Sequence, residues 1–332
     1  MKAFKVGSFL FGLVAILSLF YSTIAAGDSS GNYTGYEKYY AEIDVSFGGG
    51  KVPQYFEKVQ IKFFDKGNEA EIIAATVFQW LCLVASVGLF GWYTYQLFNG
   101  SCGWEVVYVS IVETCKYLLE IFAEPRPPAT IYASHGSTYI WLRYAEWLMT
   151  CPVLLIHLSN ITGLKEEYSH YTMRLLTSGQ GPISMGITSA AATGGVKIFF
   201  FCLGLCYGGF TFYSAAQVYM EAYHMVPRGQ CRGIVRMMAW CYFASWPLFP
   251  ILFLFGPEGF NIISLSGSHI GHAVADLLSK NLWGWFGWYL RYKIREYVIE
   301  KGDIRRVKEI EVLGRKFEVE EYMDEEELAE LP

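Results

Sequence analysis

The sequence predicts an all-α membrane protein with seven membrane-spanning helices. Of its 332 residues, 53% are hydrophobic and only 17% are charged, whereas soluble domains carry about 25% charged residues. Mean hydropathy is +0.26. From about Glu71 onward, the chain falls into seven apolar stretches, each near the roughly 20 residues that a helix needs to cross hydrocarbon. The predicted helices are 73–98, 105–124, 138–159, 168–190, 196–220, 232–256 and 262–297.

The N-terminal region has the pattern of a secretory signal peptide over residues 1–26. Lys2 and Lys5 precede an apolar run, and small residues near Ala25 offer a cleavage site. An uncleaved first membrane helix is the alternative. Residues 27–72 form a polar, Gly-rich segment that we expect to be extracellular. It contains a glycosylation sequon at Asn32.

Residues 73–297 therefore form the predicted seven-helix domain, and residues 298–332 form a C-terminal segment. Within that segment, IEVLGRKFEV predicts a strand hairpin turning near Gly314, followed by an acidic solvated tail. Basic residues of the short loops predict the orientation, because such residues gather on the cytoplasmic side. With seven spans, the N-terminus is extracellular and the C-terminus is cytoplasmic. The basic residues on one side are Lys165, Arg228, Arg232, Arg236, Arg291, Lys293 and Arg295.

Charge and cysteine content exclude two classes of function. A net charge of -5 gives no basic field for nucleic acid. The eight cysteines include no C-x-x-C pair and no histidine at zinc spacing, so we predict neither a metal site nor a disulfide scaffold.

Ionisable residues inside the predicted second span form a stripe. Glu113, Lys116, Glu120 and Glu124 place their three carboxylates within about 40° of one another on a helix. Burying a charge in a membrane costs several kcal/mol unless a partner or water path compensates it. The stripe is either a set of interhelical salt bridges or a hydrated pathway for cations or protons. Three carboxylates exceed what one lysine can pair, which favours the pathway.

The seventh span carries Asp276 and Lys280 four residues apart, on one helix face. A buried lysine favours its neutral amine, which can condense with an aldehyde to a Schiff base. Asp276 would then balance the charge of the protonated product. A simple Lys–Asp pair that stabilises helix packing is the alternative. On the third span, Arg143 and Glu146 share a face near the outer end, and His157 lies three turns deeper.

Aromatic residues flank these charges on several spans. Such rings can sandwich a flat conjugated cofactor bound to the lysine, although each ring alone is also typical of packing or of a membrane interface. The rings are Trp147, Trp240, Trp246, Phe249 and Trp283.

Five motifs then identify a family. They are WLRYAEWLMTCPVLLIHLSNITGL at 141–164, GLCYGG at 204–209, SWPLFPILFLFGPEGF at 245–260, DLLSKNLWG at 276–284 and GDIRR at 302–306. Over about residues 73–320 the chain resembles the green-algal channelrhodopsins. These are light-gated ion channels with the microbial rhodopsin fold and covalently bound retinal.

The resemblance implies a role for each matching position. Lys280 would carry all-trans-retinal as a Schiff base, with Glu146 and Asp276 as counterions. The retinal pocket would comprise Trp147, Thr150, Cys151, Gly204, Trp240, Trp246, Phe249, Ser279 and Trp283. The central gate would comprise Ser86, Glu113 and Asn281, and the inner gate Tyr93, Glu105, His157 and Arg291. The remaining pore residues would be Lys116, Glu120, Glu124 and Arg143.

Three departures from the family pattern alter these expectations. Gly179 stands where relatives commonly place an Asp that pairs with the third-span Cys, here Cys151, which implies slow closure or altered reprotonation. Val106 replaces an inner-gate carboxylate. The N-terminal cysteines that link some dimers are missing, so an expected homodimer would rest on packing.

We expect a passive light-gated channel for protons, Na⁺ and K⁺, because carboxylates along a pore favour cations. A chloride channel is the main alternative. A light-driven pump is disfavoured because no carboxylate is available beside Cys151 as a proton donor. A sensory photoreceptor is also disfavoured, and no enzymatic activity is expected. The expected location is the plasma membrane or an eyespot-associated membrane.

Overall fold

A computed structural model of the chain describes residues 67–122, 130–132, 138–162, 171–260, 262–312 and 314–323. The predicted signal peptide, the sequon at Asn32, most of the N-terminal segment, Glu124 and the acidic tail after Met323 lie outside the described residues.

Nine α-helical segments and four strands make up the described part of the chain. The helices are α1 Glu69–Phe98, α2 Trp104–Phe122, α3 Trp141–Ser159, α4 Tyr171–Ala191, α5 Gly194–Met225, α6 Gln230–Ser245, α7 Leu248–Phe255, α8 Leu265–Asp276 and α9 Trp283–Lys301. The strands are β1 Thr130–Tyr132, β2 Thr138–Ile140, β3 Arg305–Val312 and β4 Arg315–Tyr322.

These helices form seven spans, as predicted. The first five helices are one span each, α6 and α7 form the sixth, and α8 and α9 form the seventh. Glu69–Phe98, Gly194–Met225 and Gln230–Phe255 are each long and apolar enough to cross a membrane by composition. The second span is less apolar because it carries the acidic stripe, whose members Glu113 and Lys116 are buried within the bundle.

Two local features depart from the predicted helices. Residues 138–140 do not begin the third helix, because Thr138–Ile140 pairs antiparallel with Thr130–Tyr132 in a short hairpin. The seventh span is interrupted by a π-helical turn over Leu277–Leu282. The length of an apolar run could not reveal either feature. A short strand and a helix can have the same hydropathy, and so can a π-helical turn and an α-helical turn.

The main core joins spans 2 to 7. Its largest side chains are almost fully buried and belong to a single hydrophobic cluster, which includes Leu155, Leu158, Met238, Trp283 and Leu290. Because lipid is itself apolar, this core holds the helices together mainly by close van der Waals packing. The core thus fixes the spans whose polar faces form the site.

The predicted C-terminal hairpin is confirmed. Strands β3 and β4 pair antiparallel with Val312 opposite Arg315. Gly314 lies in the turn with a φ of 76°, a region that favours glycine. One face of the hairpin packs against the end of the fifth span, where Ile310, Val312 and Val319 cluster with Met225.

A buried carboxylate on the hairpin joins it to the helices. Glu321 is only 1% exposed. Its oxygens lie 2.8 Å from Arg232 Nη2 on α6, 3.5 Å from Arg228 Nη2, 3.0 Å from Lys308 Nζ and 3.6 Å from Arg306 Nη2. Four cations therefore surround one carboxylate at the end of the bundle near the C-terminus.

We predict that acid loosens the hairpin where Glu321 attaches it to α6. Burial alone would raise the pKa of the Glu321 carboxyl, but hydrogen bonds from Lys308 and Arg232 lower the pKa to about 2. A lowered pKa in the folded state means that the stabilisation is complete above the ordinary value of 4.5 and is lost as pH falls through about 2. Pepsin should therefore cleave residues 305–323 increasingly as pH falls over this range.

The Glu321→Gln variant is the control for that experiment, because its side chain does not titrate. Its cleavage, normalised to an unstructured peptide substrate at each pH, should not change over the same range. The same pH profile in both proteins would contradict the prediction.

Candidate functional site

Lys280 lies at the centre of a buried ionic cluster. Its Nζ is 2.5 Å from Asp276 Oδ1 and 2.7 Å from Glu146 Oε1, and the residue is only 5% exposed. Asp276 is the last residue of α8, and Lys280 lies in the π-helical turn that follows. The seventh span supplies the cation and one carboxylate, and the third span supplies the other.

The second oxygen of Asp276 is held by two donors from α2. Tyr117 Oη lies 2.8 Å away and Lys116 Nζ lies 3.2 Å away. Lys116 is also 3.4 Å from Glu120 Oε1. Tyr117 was not among the predicted site residues. Tyr117 is not at a helical repeat of the charged stripe, so spacing along the sequence did not indicate a role for it. Its contact with Asp276 is evident only from the packing of α2 against the seventh span.

The predicted stripe on α2 therefore serves two purposes. Lys116 makes an interhelical ion pair with Asp276, as the simpler interpretation expected, and pairs with Glu120 within α2. Glu113 makes no salt bridge with Lys116 and instead accepts a hydrogen bond of 3.0 Å from Asn281 Nδ2 on the seventh span. The structure thus brings Glu113 and Asn281 together. Ser86 of the first span is also fully buried.

A small cavity of about 10 Å³, roughly the room that one water molecule needs, adjoins this layer. It lies between spans 1, 2, 3 and 7, next to the lysine. Residues from both expected gates line it: Tyr93 of the inner gate, and Glu113 and Asn281 of the central gate. Val106, Ser110 and Lys280 are also among the lining residues. Of these cavity residues, Glu113 is the carboxylate.

The expected inner-gate residues lie further toward the C-terminal end of α3 and α9. Arg291 Nη2 donates to the Asn160 carbonyl at 2.8 Å and lies 3.3 Å from His157 Nδ1. Glu105 and Tyr93 are both buried. A Cβ at Gly103 would meet Glu105 Oε2 and Arg291 Nη1 together, so the structure brings these two side chains to one spot.

Two glycines of the seventh span receive gate side chains. A Cβ at Gly287 would lie 2.6 Å from His157 Nε2 and one at Gly284 would lie 3.4 Å from Tyr93 Oη. The close approach at Gly287 leaves no room for a side chain unless the imidazole moves.

Arg143 is fixed at the opposite end of the bundle by a residue that sequence reasoning missed. Glu258 lies 3.9 Å from Arg143 Nη1 and accepts hydrogen bonds of 2.8 Å from Tyr144 Oη and from the Ile140 amide. The Ile140 amide belongs to the N-terminus of α3, where a carboxylate is favoured by the helix dipole. Glu258 lies in the GPEG turn after α7. A glutamate in a turn is ordinarily exposed, so nothing in the sequence indicated that this one is buried.

The aromatic residues of the expected pocket lie beside the ionic cluster. Trp147 contacts Phe249 with ring centroids 5.1 Å apart, and His272 stacks on Trp147 at 5.8 Å. Trp246 lies against Tyr242 at 4.6 Å. These contacts link the third, sixth and seventh spans around the lysine.

Trp240 is not part of this group. Its side chain is 73% exposed on the outer surface of α6. Tyr242, which is buried and packs against Trp246 and Tyr219, replaces it in the inward-facing set. Helical spacing explains the difference, because two residues rotate a side chain by about 200° around the helix. We therefore remove Trp240 from the expected pocket.

The other expected pocket residues make contacts between spans or within a span. Gly204 contacts the fourth span, with its hypothetical Cβ 3.3 Å from Met185 Cβ. Trp283 donates a hydrogen bond of 2.6 Å to Tyr219 Oη. Thr150 Oγ1 donates to Glu146 Oε1 at 2.9 Å, while Cys151 is half-buried one residue further on.

The donor set also fits a protonated Schiff base on the lysine. Two carboxylates already contact Lys280 Nζ. Within the described part of the chain, Glu146 Oε2 and Ser279 Oγ are buried beside it without a hydrogen-bond partner. The carboxylates of Asp276 and Glu146 would balance the charge of a cationic nitrogen at this position, and Glu146 Oε2 and Ser279 Oγ could accept further hydrogen bonds.

Comparison with known proteins places the chain in a family. Residues 74–294 match the family described as Bacteriorhodopsin-like protein. Bacteriorhodopsin-I of Haloarcula marismortui is 26% identical over 151 residues, which are 42% of this chain and 57% of the relative. The match thus spans little more than half of that relative's length.

Solved structures give a longer match. The red light-activated channelrhodopsin Chrimson is 39% identical, with a TM-score of 0.75 over 84% of this chain and 96% of that chain. Thermophilic rhodopsin from Rubrobacter xylanophilus is 20% identical, with a TM-score of 0.57 over 66% and 97% of the two chains. Halorhodopsin, a light-driven chloride pump, is 14% identical, with a TM-score of 0.52 over 67% and 96%. The latter two share the fold.

Members of this family are channels and pumps that bind retinal on a lysine, which agrees with the buried lysine found here. The extent of the family match and the similarity to Chrimson together show that the chain belongs to the bacteriorhodopsin-like family of microbial rhodopsins, as a channelrhodopsin.

Proposed function

We propose that this protein is a light-gated passive channel for protons and monovalent cations, with all-trans-retinal on Lys280. The observation that carries the proposal is the small cavity beside Lys280, which Glu113 and Asn281 line and where a hydrogen bond joins these two side chains. In the proposed channel this contact lies on the conduction path, and breaking the contact opens the path at this level.

Residues on both sides of this contact continue the path. Glu120 and Lys116 lie on the same helix face toward the Arg143 end, and Glu105 lies toward Arg291. Negative side chains along a narrow path lower the free energy of a cation there and raise that of an anion. This charge pattern supports cation conduction.

The chain couples the lysine to the gate through adjacent residues. Retinal supplies light absorption and a change of shape at the Schiff base nitrogen. Lys280 and Asn281 are consecutive in the π-helical turn, so a displacement of the lysine moves the amide that bonds Glu113. Tyr117 and Lys116 hold Asp276 in place meanwhile, keeping a negative charge beside the nitrogen.

Chloride conduction is the second candidate, and one observation favours it. Val106 lines the cavity where relatives place a carboxylate. The cavity wall is therefore less negative than the family pattern implies.

The orientation with an extracellular N-terminus follows from the basic residues around the C-terminal hairpin, since such residues favour the cytoplasmic side. We further propose a homodimer held by packing, in the plasma membrane or an eyespot-associated membrane.

Reversal potentials test the proposed selectivity. We expect the photocurrent reversal potential to follow external Na⁺ and pH at constant chloride, and not to follow chloride at constant cations. A full-length chain expressed in cultured cells with added retinal is suitable. A shift with chloride alone would show an anion channel, and current that persists against the electrochemical gradient would show a pump.

Substitution of the lysine tests the retinal attachment. Lys280→Ala protein supplied with retinal should remain without a visible absorption band, because no other amine among the described residues contacts both counterions. Lys293→Ala is the matched control, since this lysine is outside the cluster and pairs with Glu296. A pigment of unchanged colour in the Lys280 variant would refute the assignment.

The departure at Gly179 gives a kinetic prediction. We expect an Asp there to accelerate channel closure by restoring a carboxylate near Cys151. A Cβ at Gly179 would lie 2.2 Å from Leu155 Cδ1, and Leu155 is fully buried one turn after Cys151. The substitution is therefore made in a Leu155→Ala background, which provides space.

Photocurrent decay after light-off is the measurement. Gly179→Asn in the same background has nearly the same shape without the charge and should close as slowly as that background. Equal decay for the Asp and Asn variants would contradict a role for the carboxylate.

A further inference from the structure

The helix α6 connects two distant parts of the molecule. Its C-terminal end carries Tyr242 and is followed by Trp246, which belong to the aromatic group around the lysine. Its N-terminal end carries Arg232. The 16 residues of α6 span about 24 Å at 1.5 Å per residue. A rigid helix of this length transmits a tilt at one end to the other.

The sixth span is interrupted just beyond that aromatic group. Helix α6 ends at Ser245 and α7 begins at Leu248, with Pro247 between them. Proline lacks the amide hydrogen and crowds the preceding turn, which makes it a common site of helix bending. A displacement against Trp246 can therefore tilt α6 without carrying α7 along.

The C-terminal hairpin is attached to the neighbouring spans by other contacts. Met225 of the fifth span packs in a cluster with Ile310 and Val319. On the seventh span, Tyr297 donates a hydrogen bond of 3.3 Å to the Met323 carbonyl, and its ring meets that of Tyr322 at 5.3 Å. The hairpin thus has two anchors that do not involve α6.

Its connection to α6 is electrostatic. Glu321 accepts a hydrogen bond of 2.8 Å from Arg232, and Arg228, in the turn before α6, contacts the same carboxylate oxygen. Lys308 and Arg306 of β3 approach the other oxygen. Without the carboxylate, positive groups of the hairpin would face positive groups of the sixth span.

We infer that Glu321 is a positioning residue for channel closure, which holds the N-terminal end of α6 to the hairpin and favours the closed arrangement. This inference rests on the proposed channel function. When Glu321 is neutral, the cations repel and the end of α6 is released. The contact between Glu321 and Arg232 is made only in the closed arrangement and is absent when α6 is tilted. Loss of this contact therefore destabilises the closed arrangement, and closure becomes slower.

Photocurrent decay after light-off tests this inference in the full-length protein. For Glu321→Gln we expect decay on the order of fivefold slower, the lower end of the coupling common between linked sites. Glu321→Asp keeps the charge and should restore most of the rate. Glu320→Gln is the matched control, because its side chain is 59% exposed and pairs with Arg305 within the hairpin. It should decay as the parent does.

A double variant separates the ion pair from a general loss of stability. Arg232→Gln alone should also slow the decay, and the combination with Glu321→Gln should be no slower than the slower single variant. The absorption maximum should stay at the parent value in all of them, since the lysine cluster is not altered. Unchanged decay in Glu321→Gln with a normal pigment would overturn the inference, as would fully additive slowing in the double variant.

Flash spectroscopy keeps the test independent of conduction. If the parent protein gives no photocurrent, the proposed channel function fails, and recovery of the purified pigment after a flash then reports on α6 alone. Slower recovery in Glu321→Gln would support the restraint, and equal recovery would overturn it. If Glu321→Gln yields no pigment, Arg232→Gln provides the same comparison.

Discussion

The site depends on mutual neutralisation of buried charges. Lys280 and Lys116 lie among Asp276, Glu146 and Glu120, all in a region that water reaches poorly. An isolated charge there would cost several kcal/mol, so each group requires the others. Asp276 is central because both lysines contact it, one at each oxygen. The third span, the second span and the seventh span are thereby held in one arrangement around a single carboxylate.

This constraint also explains how the gate can be sensitive to the lysine. The charges around Lys280 are close to balance, and Glu113 stands just outside them with a neutral amide as its partner. A hydrogen bond to an amide is weaker than an ion pair to a lysine. The contact between Glu113 and Asn281 is therefore easier to break than the ion pairs of the cluster beside it.

Most of the architecture was predictable because a membrane imposes a simple rule on composition. The lengths of the apolar runs predicted seven spans, and turn chemistry predicted the hairpin at Gly314. The pairing of Lys280 with Asp276 also followed from spacing along one helix. Contacts between residues of different spans could not be predicted in this way. Tyr117 and Glu258 form hydrogen bonds to other spans, and nothing in their local sequence indicates these partners. Trp240 shows the converse error, because the family resemblance placed it in the pocket but its helical phase directs it outward.

The two glycines beneath the inner gate make that gate one-sided. Tyr93 comes from the first span and His157 from the third, and each abuts main chain at Gly284 or Gly287 of the seventh span. The side chains of Tyr93 and His157, which can rotate, thus face glycine main chain, which has no side chain to rotate. If the proposed channel opens at this level, the side chains of Tyr93 and His157 must rearrange against this main chain, and a larger residue at Gly284 or Gly287 would displace them.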